Sequence, residues 1–340
     1  MTTASDVSAG RVLVVGGYGA VGQVVTEALS AWFPGRVVPA GRDEARARRL
    51  GGVRVDLNDP AGFAKVLDEL GDVAVVVFCV EPPDAGPARL CLERRIHLVD
   101  VGADHRLLGA VAGLDGLAAR AGAAAVLSVG LAPGLTNLLA LRAHEEVGGA
   151  ERIDLTVLLG TGERHGDDAV RWTVAGLSEP FTARPRRIEL PGYGTRTAHH
   201  FPFSDQHTLR HTLGVVEATT RLCLDSRPLT AALFALRRTG LVRQQSLLTS
   251  AFTRVHIGGE GFAVRADAER DGRRASWALT GHGQSRVSGL VAAHASRTLL
   301  AGRVRPGIHH IEQIPELADL PERLASDGIA VRRLVNGARR

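Results

Sequence analysis

Lysine and tyrosine are nearly absent from this chain of 340 residues. Among its 41 Lys and Arg side chains only Lys65 is a lysine, and tyrosine occurs only as Tyr18 and Tyr193. Lys65 falls within an amphipathic helical pattern, where a long charged side chain is ordinarily solvated. The sequence therefore excludes chemistry that depends on a catalytic lysine or on a Tyr-x-x-x-Lys pair.

Cysteine and long apolar runs are also scarce. Cys79, Cys91 and Cys223 form no Cys-x-x-Cys pair, which argues against a disulfide framework and a cysteine zinc site. The longest uninterrupted apolar run, Val73–Val80, is too short to cross a bilayer, and the first ten residues lack the basic and apolar parts of a signal peptide. We expect a protein of the reducing cytoplasm without a membrane segment.

The net charge of +5 and the pI near 9.8 do not by themselves indicate an acidic partner. The arginines are scattered among acidic residues, and aromatic residues make up only 4% of the chain. Surfaces that bind nucleic acids combine basic runs with aromatic side chains, and the sequence contains no such stretch. We expect a small-molecule substrate, and neither a nucleic-acid nor a membrane partner.

Short apolar runs alternate with helical patterns over residues 1–133, which predicts an α/β domain with a doubly wound parallel sheet. The predicted strands are Arg11–Val15, Arg36–Ala40, Val53–Leu57, Val73–Val80, His97–Val101 and Ala124–Val129. The predicted helices are Ala20–Trp32, Asp43–Leu50 and Pro60–Leu70, the last with Asp59 as its N-cap. This alternation is typical of a Rossmann domain.

The pattern changes after Pro133-Gly134, and residues 134–284 are predicted to form an α+β domain on an antiparallel sheet. The predicted strands are Ile153–Leu159, Arg187–Leu190, Thr253–Ile257, Phe262–Ala268 and Ala275–Leu279, with a hairpin turn at Asp271-Gly272. The predicted helices are His207–Leu224 and Leu229–Arg238, and a further helix covers Ser285–Leu300. Because the sheet shows no protection of its edges, we expect a homodimer.

A glycine-rich segment follows the first predicted strand and opens the first predicted helix. It reads Gly17-Tyr18-Gly19-Ala20-Val21-Gly22, a Gly-x-Gly-x-x-Gly pattern. In such a loop the first glycine allows a tight turn, the second lets a pyrophosphate approach the backbone, and the third lets helix and strand pack closely. The helix N-terminus then offers N–H groups to the phosphates. This context predicts a dinucleotide site.

The residues after the other strands define the expected cofactor. An NAD site has an acidic residue at the end of the second strand, whereas this chain has Arg42 there, with Asp43 one residue later. Arg42, aided by Arg46, suits a 2′-phosphate, and the sequence therefore favours NADP(H). Further expected cofactor contacts are Asp56 beside the adenine, and Cys79, Val80, Asp100 and Val101 beside the nicotinamide half.

These motifs together resemble the short bacterial members of the saccharopine dehydrogenase-like oxidoreductases. The matching segments are the glycine loop from Gly16, Ala40-Gly41-Arg42, Val99-Asp100-Val101, Pro133-Gly134-Leu135-Thr136-Asn137, Gly162-Glu163-Arg164-His165-Gly166 with Trp172, and Gly281-His282-Gly283-Gln284. One departure argues against saccharopine itself as substrate, because the lysine-pathway reductases carry Asp-Pro-Gly where this chain has Ala132-Pro133-Gly134.

The resemblance implies an NADP(H)-dependent oxidoreductase that reduces or forms an imine-type C=N bond in a small metabolite bearing amino or carboxylate groups. It also implies that residues 285–340 return to brace the Rossmann domain. Such chemistry needs a placed cofactor, a proton donor and a cationic group for a carboxylate, and it needs no catalytic lysine. For the carboxylate, Arg171, Arg184 and Arg196 are equal candidates.

Glu163 and His165 are the candidate acid–base residues, because they lie in a glycine-flanked turn directly after a strand. Candidate substrate contacts are Pro133 and Asn137 at the domain junction, and His199 and Asp205 in the densest polar cluster. In that cluster His207 and His211 share a helical spacing, but neither a cysteine nor an H-E-x-x-H pattern accompanies them, and no metal is predicted.

Two other functions stay open at this stage. The first is a reductase of C=C or C=O bonds in a biosynthetic pathway. The second is a non-catalytic NADP(H) sensor, in which the Rossmann loop would signal through a partner. The acid–base candidates Glu163 and His165 argue against a sensor, which needs no such residues.

Overall fold

The computed structural model describes residues 10–163, 167–179, 183–236 and 258–334. Contacts divide the chain into two compact units. The first contains the described residues up to Gly130 together with Ser285–Leu317, and the second contains Leu131–Gln284 and the chain from Ala318 onward. Within the described residues no helix is long and apolar enough to cross a membrane.

The first unit is built on seven parallel strands in the order β13-β6-β5-β4-β1-β2-β3. The strands are β1 (Arg11–Val15), β2 (Val37–Gly41), β3 (Val53–Arg54), β4 (Val73–Phe78), β5 (His97–Asp100), β6 (Ala124–Leu127) and β13 (Gly307–His310). The helices are α1 (Ala20–Trp32), α2 (Glu44–Arg49), α3 (Pro60–Leu70), α4 (Gly86–Glu93), α5 (His105–Ala112), α6 (Asp115–Ala121) and α11 (Gln284–Leu300).

Burial on both faces of this sheet explains why its strands are continuous apolar runs. Val75–Phe78 in β4 and Ala124–Leu127 in β6 have no exposed surface. Strands covered on both faces read as uninterrupted Val, Ile and Leu sequence, whereas a half-exposed strand would alternate. Asp59 caps α3 as predicted, since its side chain accepts the N–H of Gly62. The Rossmann prediction is confirmed, and β13 is an additional strand that the sequence did not reveal.

The second unit is built on a seven-stranded mixed sheet in the order β14-β12-β11-β7-β10-β9-β8. Its strands are β7 (Arg152–Leu159), β8 (Arg186–Leu190), β9 (Gly194–His200), β10 (Glu217–Leu224), β11 (Gly261–Arg270), β12 (Arg273–His282) and β14 (Ala330–Arg333). Its helices are α7 (Thr136–Glu146), α8 (Asp167–Ser178), α9 (Asp205–Thr212), α10 (Arg227–Ala235) and α12 (Leu320–Arg323). The predicted hairpin is present as β11 and β12, and Asp271 and Gly272 both have positive φ at its turn.

Two predictions for this unit are wrong. The predicted helix His207–Leu224 ends at Thr212, and Glu217–Leu224 is a strand that pairs in parallel with β7. The sheet is therefore mixed, not antiparallel. The prediction followed the helical spacing of Leu209, Leu213 and Val216. Gly214, however, adopts φ +67 and Val216 is 80% exposed, so the helix stops before the strand begins.

The end of the chain also differs from the prediction that residues 285–340 return together to the first unit. Ser285–Leu317 does so, whereas β14 pairs with β12 along Trp277–Thr280 and belongs to the second sheet. The backbone hydrogen bonds of this ladder fix the later residues to the second unit. The predicted strand Thr253–Ile257 lies outside the described residues.

Candidate functional site

The glycine loop after β1 is a tight turn that only glycine fits at two positions. Gly16 has φ +82, a conformation that side chains disfavour. A Cβ on Gly22 would lie 2.1 Å from the carbonyl oxygen of Gly16, so loop and helix could not approach as they do. The N–H of Gly17 is 3.1 Å from the carbonyl oxygens of both Val14 and Ala40, which ties the loop to β1 and β2.

The N-terminus of α1 is left without a side-chain cap. Gly19 is the N-cap residue, no side chain hydrogen-bonds there, and the first turn contains no acidic residue. Uncapped N–H groups and the positive end of the helix dipole favour an anion, and a carboxylate in the first turn would compete with it. Loop and helix together therefore form a cradle suited to a pyrophosphate.

Tyr18 and Arg46 form the wall of this cradle beside the end of β2. The guanidinium of Arg46 lies 4.7 Å from the centre of the Tyr18 ring and donates a 2.8 Å hydrogen bond to the Tyr18 carbonyl. The Tyr18 hydroxyl accepts the N–H of Asp43 at 2.8 Å. A Cβ on Gly41 would lie 2.4 Å from that hydroxyl, so a glycine at the end of β2 makes room for the ring.

The carboxylate nearest the end of β2 is already engaged. Asp43 is the N-cap of α2, and its Oδ1 accepts the Arg46 N–H at 2.9 Å. It therefore stabilises its own helix, while the exposed side chains of Arg42 and Arg46 are the cations at this strand end. Asp56 lies near Arg42, and hydrogen bonds from Asn58, with a smaller effect of the Arg42 charge, lower the pKa of its carboxyl.

The ends of β4 and β5 place Cys79 and Asp100 on neighbouring strands. The N–H of Cys79 bonds to Val15 at 2.9 Å, and burial, assisted by the Asp100 charge, raises the pKa of its thiol. Asp100 has no exposed surface, and its Oδ1 accepts the N–H of Gly102 at 2.7 Å. Its Oδ2 has no hydrogen-bond partner among the described residues. Burial, with the charge of Glu81 adding to it, raises the pKa of this carboxyl to about 6.

Sequence reasoning missed one pair at the same edge of the sheet. Ser128 follows β6, is fully buried and has φ +57, and its Oγ lies 2.8 Å from Nδ1 of His310 at the end of β13. The ring of His310 also accepts the N–H of Gln313. A positive φ at a buried serine has no sequence signal, and β13 itself was not predicted.

In the second unit, the junction residues and the polar cluster are brought together. Asn137 accepts the N–H of Gly134 at 3.0 Å and donates to Thr208 Oγ1 at 3.2 Å. Thr208 in turn donates to the carbonyl of Asp205, and Thr220 donates to Asp205 Oδ1 at 2.5 Å. Asn137 and Asp205 are both fully buried, so these hydrogen bonds stabilise the interior of the second unit.

The remaining second-unit candidates are dispersed. The ring of His199 stacks on Phe234 at 4.1 Å, and Pro133 is buried in the turn that precedes α7. Glu163 follows β7, and its Oε2 accepts the N–H of Gln284 at 2.6 Å. His165, the other acid–base candidate, lies outside the described residues. Within the described part of the chain, no three His, Cys, Asp or Glu side chains are grouped to hold a metal ion.

Comparison with known proteins establishes the fold and no family. No protein-family model matches the chain, and no curated protein matches it either. Among solved structures it is similar to the DAP dehydrogenase of C. glutamicum in complex with DAP, with 17% identity, a TM-score of 0.50, and coverage of 93% of this chain and 98% of that one. An engineered D-amino acid dehydrogenase bound to NADP+ gives 16% identity, a TM-score of 0.50 and the same coverage. The chain therefore has the fold of these dehydrogenases, with a parallel Rossmann sheet and a second, mixed sheet.

Proposed function

We propose that the protein is an NADP(H)-dependent oxidoreductase. The observation that carries the proposal is the end of β2, where Asp43 is engaged as a helix cap while Arg42 and Arg46 are exposed beside it. An NAD site would need a free carboxylate here for the ribose hydroxyl, whereas a 2′-phosphate needs cations. Guanidinium groups suit that phosphate because they offer several N–H donors in one plane.

The rest of the first unit fits the same cofactor. The Gly17–Gly22 cradle and the uncapped start of α1 suit the pyrophosphate, and Asp56 lies on the adenosine side. The ends of β4 and β5 lie on the other side of β1, where a nicotinamide ring would be placed. When bound, NADPH supplies a hydride, and the contribution of these residues is to bind and orient it.

The proposed substrate is a small metabolite in which a C=N bond is reduced or formed, and which carries amino or carboxylate groups. The support is the resemblance of the motifs to saccharopine dehydrogenase-like enzymes, together with the fold shared with a DAP dehydrogenase and a D-amino acid dehydrogenase. Glu163 is the proposed acid–base residue of the second unit, oriented by the N–H of Gln284.

The cofactor half of the proposal is tested by titrating the protein with NADPH and NADH while recording nucleotide fluorescence. We expect tighter binding of NADPH, and Arg42→Ala should weaken NADPH binding at least tenfold while changing NADH binding less than twofold. The matched control is Arg48→Ala, because Arg48 is an exposed arginine of the following helix α2 that pairs with Glu44. Equal weakening of both nucleotides by Arg42→Ala would show that Arg42 does not contact the 2′-phosphate.

The substrate half is tested by following NADPH oxidation with a panel of 2-oxo acids, each with ammonia or a primary amine. Turnover that requires both the oxo acid and the amine supports C=N reduction. Turnover with the oxo acid alone, or with an enoyl substrate, would instead assign C=O or C=C reduction. In the productive reaction Glu163→Gln should lower kcat at least a hundredfold without changing NADPH affinity.

A further inference from the structure

Asp100, in the first unit, has a buried carboxylate oxygen that lacks a partner among the described residues. Asp100 has no exposed surface, and its Oδ1 is satisfied by the N–H of Gly102, whereas Oδ2 meets no donor among the described residues. A buried acceptor without a donor costs free energy, and this cost is larger for a charged group. An unsatisfied carboxylate oxygen at the carboxyl end of a parallel strand indicates a donor that belongs to a ligand.

The position of Asp100 restricts which part of a ligand could reach it. β5 is two strands from β1, or roughly 10 Å at the usual strand spacing, on the side away from β2. The pyrophosphate belongs at the start of α1 beside β1, and the adenosine half belongs beside β2 and β3. Only the nicotinamide half extends toward β5. Around Asp100, Cys79, Val80 and Val101 are only partly buried, so some exposed surface remains beside this strand end.

We propose that Asp100 Oδ2 accepts a hydrogen bond from the carboxamide N–H of the nicotinamide ring. This inference rests on the proposed function and specifies one contact within it. The carboxamide is the only N–H donor on the nicotinamide half of NADP(H), and one such bond fixes the rotation of the ring, hence the face from which hydride leaves. Asp100 is thereby a positioning residue for the cofactor.

The neighbouring polar group at this edge is a poorer candidate. Ser128 follows the adjacent strand β6, but its Oγ already lies 2.8 Å from His310 Nδ1. The pair is satisfied within the first unit, whereas Asp100 Oδ2 is not. Ser128 therefore provides a matched control, being a fully buried polar residue at the same edge whose side chain is engaged.

The test needs no substrate, because three nucleotides separate the contribution of the carboxamide N–H to binding from that of the rest of the cofactor. NADP+ carries the carboxamide, its 3-acetylpyridine analogue replaces the amide N–H with a methyl ketone, and 2′,5′-ADP lacks the nicotinamide half altogether. Binding of each is measured by calorimetry at pH 8, with wild-type protein and with Asp100→Asn and Asp100→Ser. The Asn variant keeps the shape and the contact to Gly102, but it presents an amide NH2 donor in place of the accepting oxygen Oδ2.

We expect wild-type protein to bind NADP+ at least tenfold more tightly than the acetylpyridine analogue, as for loss of one hydrogen bond to a charged group. Asp100→Asn and Asp100→Ser should weaken NADP+ binding by a similar factor and remove the preference between these two ligands. Binding of 2′,5′-ADP should change less than twofold, which also shows that the variants are folded. Ser128→Ala should keep the wild-type preference.

Two outcomes would overturn the inference alone. Unchanged NADP+ binding in both Asp100 variants would mean that Oδ2 does not meet the cofactor. Equal loss of NADP+ and 2′,5′-ADP binding would mean that Asp100 acts through the shape of the first unit. Wild-type protein that binds neither NADP+ nor 2′,5′-ADP would instead overturn the proposed function, and this inference with it.

Discussion

The two sheets place their polar side chains in opposite ways. In the first sheet β4 and β6 are apolar along their length, and the chemically versatile residues Cys79, Asp100 and Ser128 come at or just after the carboxyl ends of β4, β5 and β6. In the second sheet, charged groups lie within the strands themselves. Asp154 of β7 and Arg221 of β10 are only 11% and 7% exposed at their side chains and are joined by a 2.6 Å ion pair.

This difference separates two uses of a polar group. Polar residues at a strand end can meet a ligand, so the first unit leaves Asp100 Oδ2 unsatisfied there. A charged residue in the middle of a covered strand loses its hydration, and a partner of opposite charge within the fold offsets that cost. Accordingly Asp154 pairs with both Arg221 and Arg186, and Arg265 pairs with Asp267 at 2.7 Å. Three predictions test this separation.

The largest effect is expected from Gly22→Ala in the cradle of the first unit. The new Cβ would lie 2.1 Å from a backbone oxygen that no rotamer change can move away. We expect a loss of at least about 3 kcal/mol in the free energy of unfolding, measured in urea, and loss of measurable NADPH binding. Gly109→Ala is the control, because nothing lies within 4 Å of its Cβ in α5. That variant should gain about 0.5–1 kcal/mol, and a Gly22→Ala protein of wild-type stability would contradict the close packing.

The second effect distinguishes the two arginines that share Asp154 in the second unit. Arg221→Met removes the buried partner and should cost about 3 kcal/mol, because a buried carboxylate loses its closest cation. Arg186→Met removes a partner that is 48% exposed and should cost less than about 1 kcal/mol. Urea unfolding at pH 7 measures both. Equal losses would show that burial does not determine the strength of these pairs.

The smallest effect concerns the pH dependence that Asp100 gives the first unit. Burial raises its pKa from the ordinary 3.8 to about 6, so between these values the folded protein holds a proton that the unfolded chain releases. The stabilising contribution is complete below the unfolded pKa and is lost as the pH rises through about 6. The free energy of unfolding of Asp100→Asn, compared with that of wild type, should therefore increase by about 2–3 kcal/mol as the pH rises from 4 to 7.

Urea unfolding of both proteins across that pH range measures this difference. A difference that does not vary with pH would show that Asp100 has an ordinary pKa.

The first unit was predictable from sequence because its physical signals agree with one another. Strands buried on both faces form apolar runs, and Asp59 and the glycine loop mark where helices begin. The six predicted strands and their Rossmann order follow from these signals. β13 was missed because Gly307–His310 is short and ends in two histidines, which resemble a loop.

The strands of the second unit were harder to predict from sequence because they mix polar and apolar residues. In β10, Thr219, Arg221 and Cys223 alternate with Thr220, Leu222 and Leu224, so no apolar run marks the strand. Within the candidate site, the glycine loop and Arg42 could be chosen from their context. The unsatisfied oxygen of Asp100 and the Ser128–His310 pair could not, since both depend on side-chain geometry across neighbouring strands.

The late position of β13 governs how the protein can be made. β6 ends at Leu127, but the strand that covers its outer edge arrives only at Gly307. During synthesis the Rossmann sheet is completed only once Gly307–His310 has been made, and a fragment ending at Gly130 would leave Ala124–Leu127 as a bare apolar edge. Such an edge recruits other strands, so we expect the first unit to aggregate when it is produced by simple truncation. A soluble version would need residues 285–317 fused behind Gly130 by a linker.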